Sequence, residues 1–346
     1  MFKFKYEYSE GALGSIPGLS LSETSLSLTY KKKTYKKKTP GRIVFPPALG
    51  SSSSGENTAG MESGKERGEI AGFTGENRLA KTWSRLRESG RKALIPFMMS
   101  GDPHLSVTRD YVLKAAESGA DIVELGIPSS DALADGPVVQ EAAGRALAEG
   151  VTPARVFELV AGLRRETDIP LVLLCYYNQI LQAGEENFLE EMKKSGADGL
   201  IVPDLPLEES GYLRWEAARR NISFITMATP LAGIDRNRRI AEAGAGFLYC
   251  VSVAGVTGVR QGIAEEAVNM LKELKEATDL PLALGFGIST PQQAAEAARF
   301  ADGVIIGSAL IRELENRDKE EGLIILGDLI NSIRRSLDGE TGRKRW

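Results

Sequence analysis

The chain has 346 residues, 42% apolar and 26% charged, the balance of an ordinary globular protein, and no apolar run approaches the ~18 residues of a membrane span. The net charge is −4, but residues 1–60 carry +5, so the remainder is acidic and lacks the basic footprint of a nucleic-acid binder. One histidine, His104, and two cysteines in apolar runs, Cys175 and Cys250, exclude a multi-histidine metal site and a disulfide framework; acid–base chemistry falls to carboxylates or tyrosine.

Residues 1–77 are expected to be a disordered basic leader. They hold Lys31–Lys33, Lys36–Lys38 and Ser51–Ser54, with many Gly and Ser and no sustained period of 2 or 3.6. Such composition buries too little apolar surface to offset chain entropy. Met61 is a candidate start. A transit peptide fits less well, because Lys outnumbers Arg and acidic residues are present; an anion-binding tether stays open.

From residue 90 short apolar runs recur, each followed by an amphipathic stretch: Leu94–Met99, Ile122–Ile127, Pro170–Tyr177, Gly199–Asp204, Ser223–Thr229, Phe247–Val253, Pro281–Gly287 and Gly303–Ala309. Near-continuous apolar character predicts strands covered on both faces. Helices are predicted over Val107–Ser118, Thr152–Glu166, Glu185–Ser195, Ser210–Arg220, Asp235–Ala243, Ala264–Thr278, Pro291–Phe300 and Leu310–Ser336, with an extra one before Thr152. Ser118-Gly119-Ala120-Asp121, Ser195-Gly196-Ala197-Asp198 and Ala243-Gly244-Ala245-Gly246 punctuate helix-to-strand passages. Eight βα units predict a (β/α)8 TIM barrel over 78–346; an open doubly wound sheet is the alternative, disfavoured by the unbroken run of units.

In a TIM barrel, function sits at the C-terminal ends of the strands. Glu124 interrupts the second apolar run, and strand alternation points it into the barrel with Ile122 and Gly126. A buried glutamate is either paired to a base or retained for chemistry, with a pKa raised by desolvation. Asp131 and Asp135 follow in the loop Pro128–Pro137. Both suit turn or capping roles, but Asp135 sits over the same mouth as Glu124. Gly285-Phe286-Gly287-Ile288-Ser289 and Gly307-Ser308-Ala309 end the seventh and eighth strands, where this fold usually binds phosphate. Ala254-Gly255-Val256-Thr257-Gly258 suggests a mobile loop. Tyr249, just before it, is a substrate contact or a core aromatic, and His104 is an exposed loop histidine.

Glu124-Leu125-Gly126-Ile127-Pro128, Ser130-Asp131 and Ala134-Asp135-Gly136-Pro137 with Gln140 closely resemble the signature of tryptophan synthase α subunits. The similarity runs over roughly residues 78–336 and includes Pro96-Phe97, Gly101-Asp102-Pro103, Pro203-Asp204-Leu205-Pro206 and the glycine-rich turns, in family order. The resemblance implies retro-aldol cleavage of indole-3-glycerol phosphate to indole and glyceraldehyde 3-phosphate in L-tryptophan biosynthesis. It makes Glu124 the general acid–base and Asp135 the carboxylate on the indole N–H. It places Tyr249 near the substrate, Phe97, Leu174 and Tyr176 around the indole, and Gly258, Gly287, Gly307 and Ser308 on the phosphate. It implies no metal or cofactor on this chain, a pyridoxal-phosphate β subunit as partner in an α2β2 assembly, and a cytoplasmic location. The departures are Ser129 where phenylalanine is common, Ala132 for proline and Val253 for arginine, all touching the two mobile loops and so bearing on loop closure and β coupling. Another sugar-phosphate barrel enzyme and a non-catalytic α-like regulatory subunit are the competing readings.

Overall fold

The computed structural model describes residues 77–252, 263–285 and 287–341. Residues 1–76, and with them nearly all of the expected leader, lie outside the described residues, as do Val253, Ala254–Gly258 and Phe286. The strands are β1 (Ala93–Met99), β2 (Val123–Gly126), β3 (Leu171–Leu174), β4 (Gly199–Ile201), β5 (Ser223–Ile225), β6 (Met227–Ala228), β7 (Leu248–Val251), β8 (Leu282–Gly285) and β9 (Gly303–Ile306). The helices are α1 (Arg78–Ser89), α2 (Leu105–Glu117), α3 (Pro137–Ala148), α4 (Pro153–Leu163), α5 (Tyr177–Ala183), α6 (Glu185–Ser195), α7 (Gly211–Arg219), α8 (Ile234–Ala243), α9 (Glu265–Ala277), α10 (Pro291–Ala297), α11 (Ser308–Leu314) and α12 (Lys319–Thr341).

Every strand pair is parallel, in the order β5-β4-β3-β2-β1-β9-β8-β7-β6. The nine strands among the described residues are the eight predicted runs, because β5 and β6 are successive pieces of the run Ser223–Thr229. Tilt and stagger in a barrel offer the lower half of a strand to one neighbour and the upper half to the other. Here β5 pairs with β4 (Ile201↔Ile225) and β6 with β7 (Met227↔Tyr249). Tyr249 N–H bonds the Thr226 carbonyl at 3.0 Å, so Thr226 carries the ring across the break and closes a TIM barrel.

The helix-to-strand phrases are clamps at the N-terminal end of the barrel. Asp121 accepts from the Leu94 N–H at 3.0 Å while its own N–H bonds the Leu94 carbonyl at 2.9 Å. Asp198 does the same with Leu171, and Asp302 with Leu282. Each aspartate thereby ties the foot of its strand to the preceding strand, and each meets a cation: Arg334 on Asp121, Arg164 and Arg78 on Asp198, Lys275 on Asp302. The third phrase, Ala243-Gly244-Ala245-Gly246, ends in Gly246 at φ +80°, where a Cβ would lie 2.7 Å from Leu79. A side chain of α1 fills the place that a clamp occupies elsewhere.

Three elements differ from the sequence reading. Helix α1 was not anticipated, yet Asn77 caps it by accepting from Ala80 N–H, Gly90 ends it in the left-handed region, and Leu79, Trp83 and Leu86 are buried at helical spacing. Each of those side chains contributes roughly 1.5–3 kcal/mol. The third strand stops at Leu174, because the Tyr177 N–H turns to the Asp204 carboxylate at 2.9 Å and begins α5. The last predicted helix is two, parted by extended Glu315 and by Asn316 at φ +59°.

Candidate active site

At the C-terminal ends of the strands a cavity encloses about 900 Å³ of unfilled space, part of it open to solvent. Phe97 of β1, Glu124 of β2, Leu174 of β3, Tyr249 of β7 and Ile305 of β9 wall it, with Asp135–Val139 on one rim and Gly287, Gly307, Ser308 and Arg312 on the other. Gly126 makes room for Phe97: a Cβ there would come within 2.9 Å of the ring. The apolar walls suit a flat aromatic group.

Glu124 is 1% exposed, and neither carboxyl oxygen has a hydrogen-bond partner among the described residues. Parallel pairing with Phe97 and Val172 fixes its place at the mouth. Burial, aided by the negative charge of Asp135, lifts its pKa to about 8. Glu124 is therefore largely protonated at neutral pH, yet close enough to its pKa to give and take a proton.

Asp135 stands at the end of a loop held on three sides. Tyr176 donates its hydroxyl to Asp135 Oδ2 at 3.0 Å and accepts from the Ala134 N–H at 3.0 Å. Gln140 donates to the carbonyls of Ala132 and Asp135, and Gln179 to that of Pro128. Burial raises the Asp135 pKa and the Tyr176 hydroxyl opposes the rise. Two neighbouring carboxyls are thus driven apart in character: Glu124 has no donor among the described residues, whereas Asp135 keeps one that favours its anion. Tyr249 is buried, and desolvation plus both carboxylates push its hydroxyl well above the ordinary range, so it acts as a neutral donor.

Of the residues singled out in the sequence, Glu124, Asp135, Phe97, Leu174, Tyr249, Gly287, Gly307 and Ser308 meet at this one cavity. Tyr176 does not line it; its buried ring supports Asp135 from outside. Gly258 lies outside the described residues. Asp131 is exposed and engaged locally with Ser130 and Ser129, the turn role allowed for it. The divergent Ser129 and Ala132 are both buried in the fastened loop. His104 is exposed and pairs with Glu149 at 3.1 Å. Arg312 and Gln179 were missed. Arg312 lies unmarked inside the predicted helix Leu310–Ser336; Gln179 carries no signal, since the predicted strand runs through Tyr177. Among the described residues no cluster of His, Cys, Asp or Glu could hold a metal ion.

Fold and mouth together define a TIM-barrel enzyme equipped for carboxylate acid–base chemistry. The family described as tryptophan synthase alpha chain matches residues 83–330. The tryptophan synthase alpha chain of Carboxydothermus hydrogenoformans is 45% identical over 240 residues, 69% of this chain and 90% of that protein. That of a Thermoanaerobacter strain is 44% identical, over 75% of this chain and all of its own length. The crystal structure of the Legionella pneumophila alpha subunit superposes with a TM-score of 0.70 at 36% identity, covering 76% of this chain and 99% of its own. The chain belongs to the tryptophan synthase alpha chain family.

Proposed function

We propose that Glu124 and Asp135 carry the lyase reaction of this family, cleavage of indole-3-glycerol phosphate into indole and glyceraldehyde 3-phosphate. The chain is a carbon–carbon lyase of tryptophan biosynthesis. The reaction places one proton on indole C3 and removes one from the adjacent side-chain hydroxyl. As the O–H bond breaks, its electrons form the new carbonyl, and those of the C3–carbon bond return to the ring. Proton gain and loss balance, so one carboxyl that first gives and then takes ends as it began. Glu124, protonated at neutral pH and without a competing partner among the described residues, suits both steps. Asp135, its anion favoured by Tyr176, suits the indole N–H, where positive charge develops once C3 is protonated. Phe97 and Leu174 would hold the indole plane, and Tyr249 would donate to the substrate. The phosphate would lie at Gly287, Gly307 and Ser308, with Gly258 contributing from its loop.

The single observation that carries the reading is a carboxyl buried in an apolar wall with no partner among the described residues. Keeping it there costs several kcal/mol unless it is neutral, and a neutral acid poised near pH 8 is a proton donor. The remaining assignments follow the family: no cofactor on this chain, pyridoxal phosphate on a β subunit in an α2β2 assembly, and a cytoplasmic location; composition supports a barrel domain over 78–346, set apart from residues 1–77. No helix among the described residues is long and apolar enough to cross a membrane. The test is indole release by purified protein with and without a β subunit. Wild type should turn over, faster with β, and Glu124→Gln should lose at least about a hundredfold in kcat while remaining folded. A folded, fully active Glu124→Gln variant would remove Glu124 from the mechanism.

A further inference from the structure

We propose that Arg312 is a side-chain contact of the substrate phosphate; the assignment rests on reading the mouth as the indole-3-glycerol phosphate site. The cavity wall already holds the Asp135 carboxylate, and the substrate brings a phosphate of about −1.5 to −2 charge. Anions gathered in a partly desolvated mouth repel one another, so the site calls for a cation. Among the described residues lining the cavity, Arg312 is the only positively charged side chain. It lies on α11 four residues beyond Ser308, on the same helix face. Helical side chains lean toward the N-terminus of their helix, which carries the guanidinium back toward Gly307 and Ser308. Its donors are uncommitted among the described residues, whereas nearby arginines are engaged: Arg145 with Asp102 and Glu315, Arg317 with Glu321. A planar fork of donors matches phosphate geometry. The glycine turns offer backbone N–H groups without net charge; Arg312 adds the charge and sets a preference for a phosphorylated over an uncharged side chain.

The experiment compares wild type, Arg312→Met and Arg312→Lys by steady-state indole formation and by calorimetric binding of glycerol phosphate. Arg312→Met should raise KM for indole-3-glycerol phosphate about fivefold to tenfold with kcat changed less than about twofold, the size of one partly shielded charge pair. Glycerol phosphate affinity should fall by the same factor, Arg312→Lys should restore most of it, and the gap between variants should narrow at about 0.5 M salt. Unchanged KM and unchanged glycerol phosphate affinity in Arg312→Met would overturn the assignment. Should wild type release no indole, the lyase reading falls, and glycerol phosphate binding still decides for or against Arg312.

Discussion

Replacing Glu124 by Gln preserves shape and removes the titration, which makes stability against pH a direct measure of what the cavity imposes. The folded pKa of about 8 lies above the ordinary value of 4.5. Below pH 4.5 the carboxyl is neutral in both states and exacts no pH-dependent penalty. Between pH 4.5 and 8 the unfolded chain releases the proton and the folded chain keeps it, so wild type loses about 1.4 kcal/mol per pH unit. The loss levels off above pH 8 at roughly 5 kcal/mol. Glutamine has no such titration. The advantage of Glu124→Gln over wild type should therefore grow by about 4 kcal/mol between pH 5 and pH 9, whatever its offset at pH 5. Urea unfolding of both proteins at pH 5, 7 and 9 measures this, and the difference cancels every titration they share. Two curves that stay parallel within about 1 kcal/mol across that range would mean that Glu124 ionises freely in the folded protein, and the acid–base argument would lose its basis.

Tyr176→Phe removes the donor that favours the Asp135 anion, so the Asp135 pKa should rise further and the acid limb of the kcat profile should move to higher pH. A profile superimposable on wild type would show that Asp135 does not depend on Tyr176. Asp198→Ala takes the carboxylate from the partly buried Arg164 guanidinium, which keeps only backbone carbonyls as partners, and removes a strand clamp; a loss of about 2–4 kcal/mol is expected in urea unfolding. At a temperature where the variant stays folded, its kcat should match wild type, since the clamp lies at the far end of the barrel. A large fall in kcat would tie the two ends together.

The barrel was legible because strands covered on both faces write themselves as apolar runs, and because the Asp121 and Asp198 phrases repeat. Glu124 was legible for the converse reason, a charge at an inward position of such a run. Residues whose partners come from far along the chain were not. Nothing near Tyr176 announces Asp135, 41 residues earlier, and nothing near Gln179 announces the Pro128 carbonyl. Helix α1 carried its signals in Asn77, Leu79, Trp83, Leu86 and Gly90, but they stand directly after a long polar stretch that masks them. The divided fifth strand follows from ring closure, which no single segment encodes.

Asp121, at the foot of β2, and Glu124, within that strand, stand three positions apart, and both are buried. Asp121 is saturated by the Leu94 amide and the Arg334 guanidinium; Glu124 is met by no donor among the described residues. Within a single short stretch the chain thus sets a mortared acid beside a bare one. Depth alone distinguishes neither, so a redesign that moved chemistry to another barrel wall would have to withhold partners from a carboxyl as deliberately as it buried it.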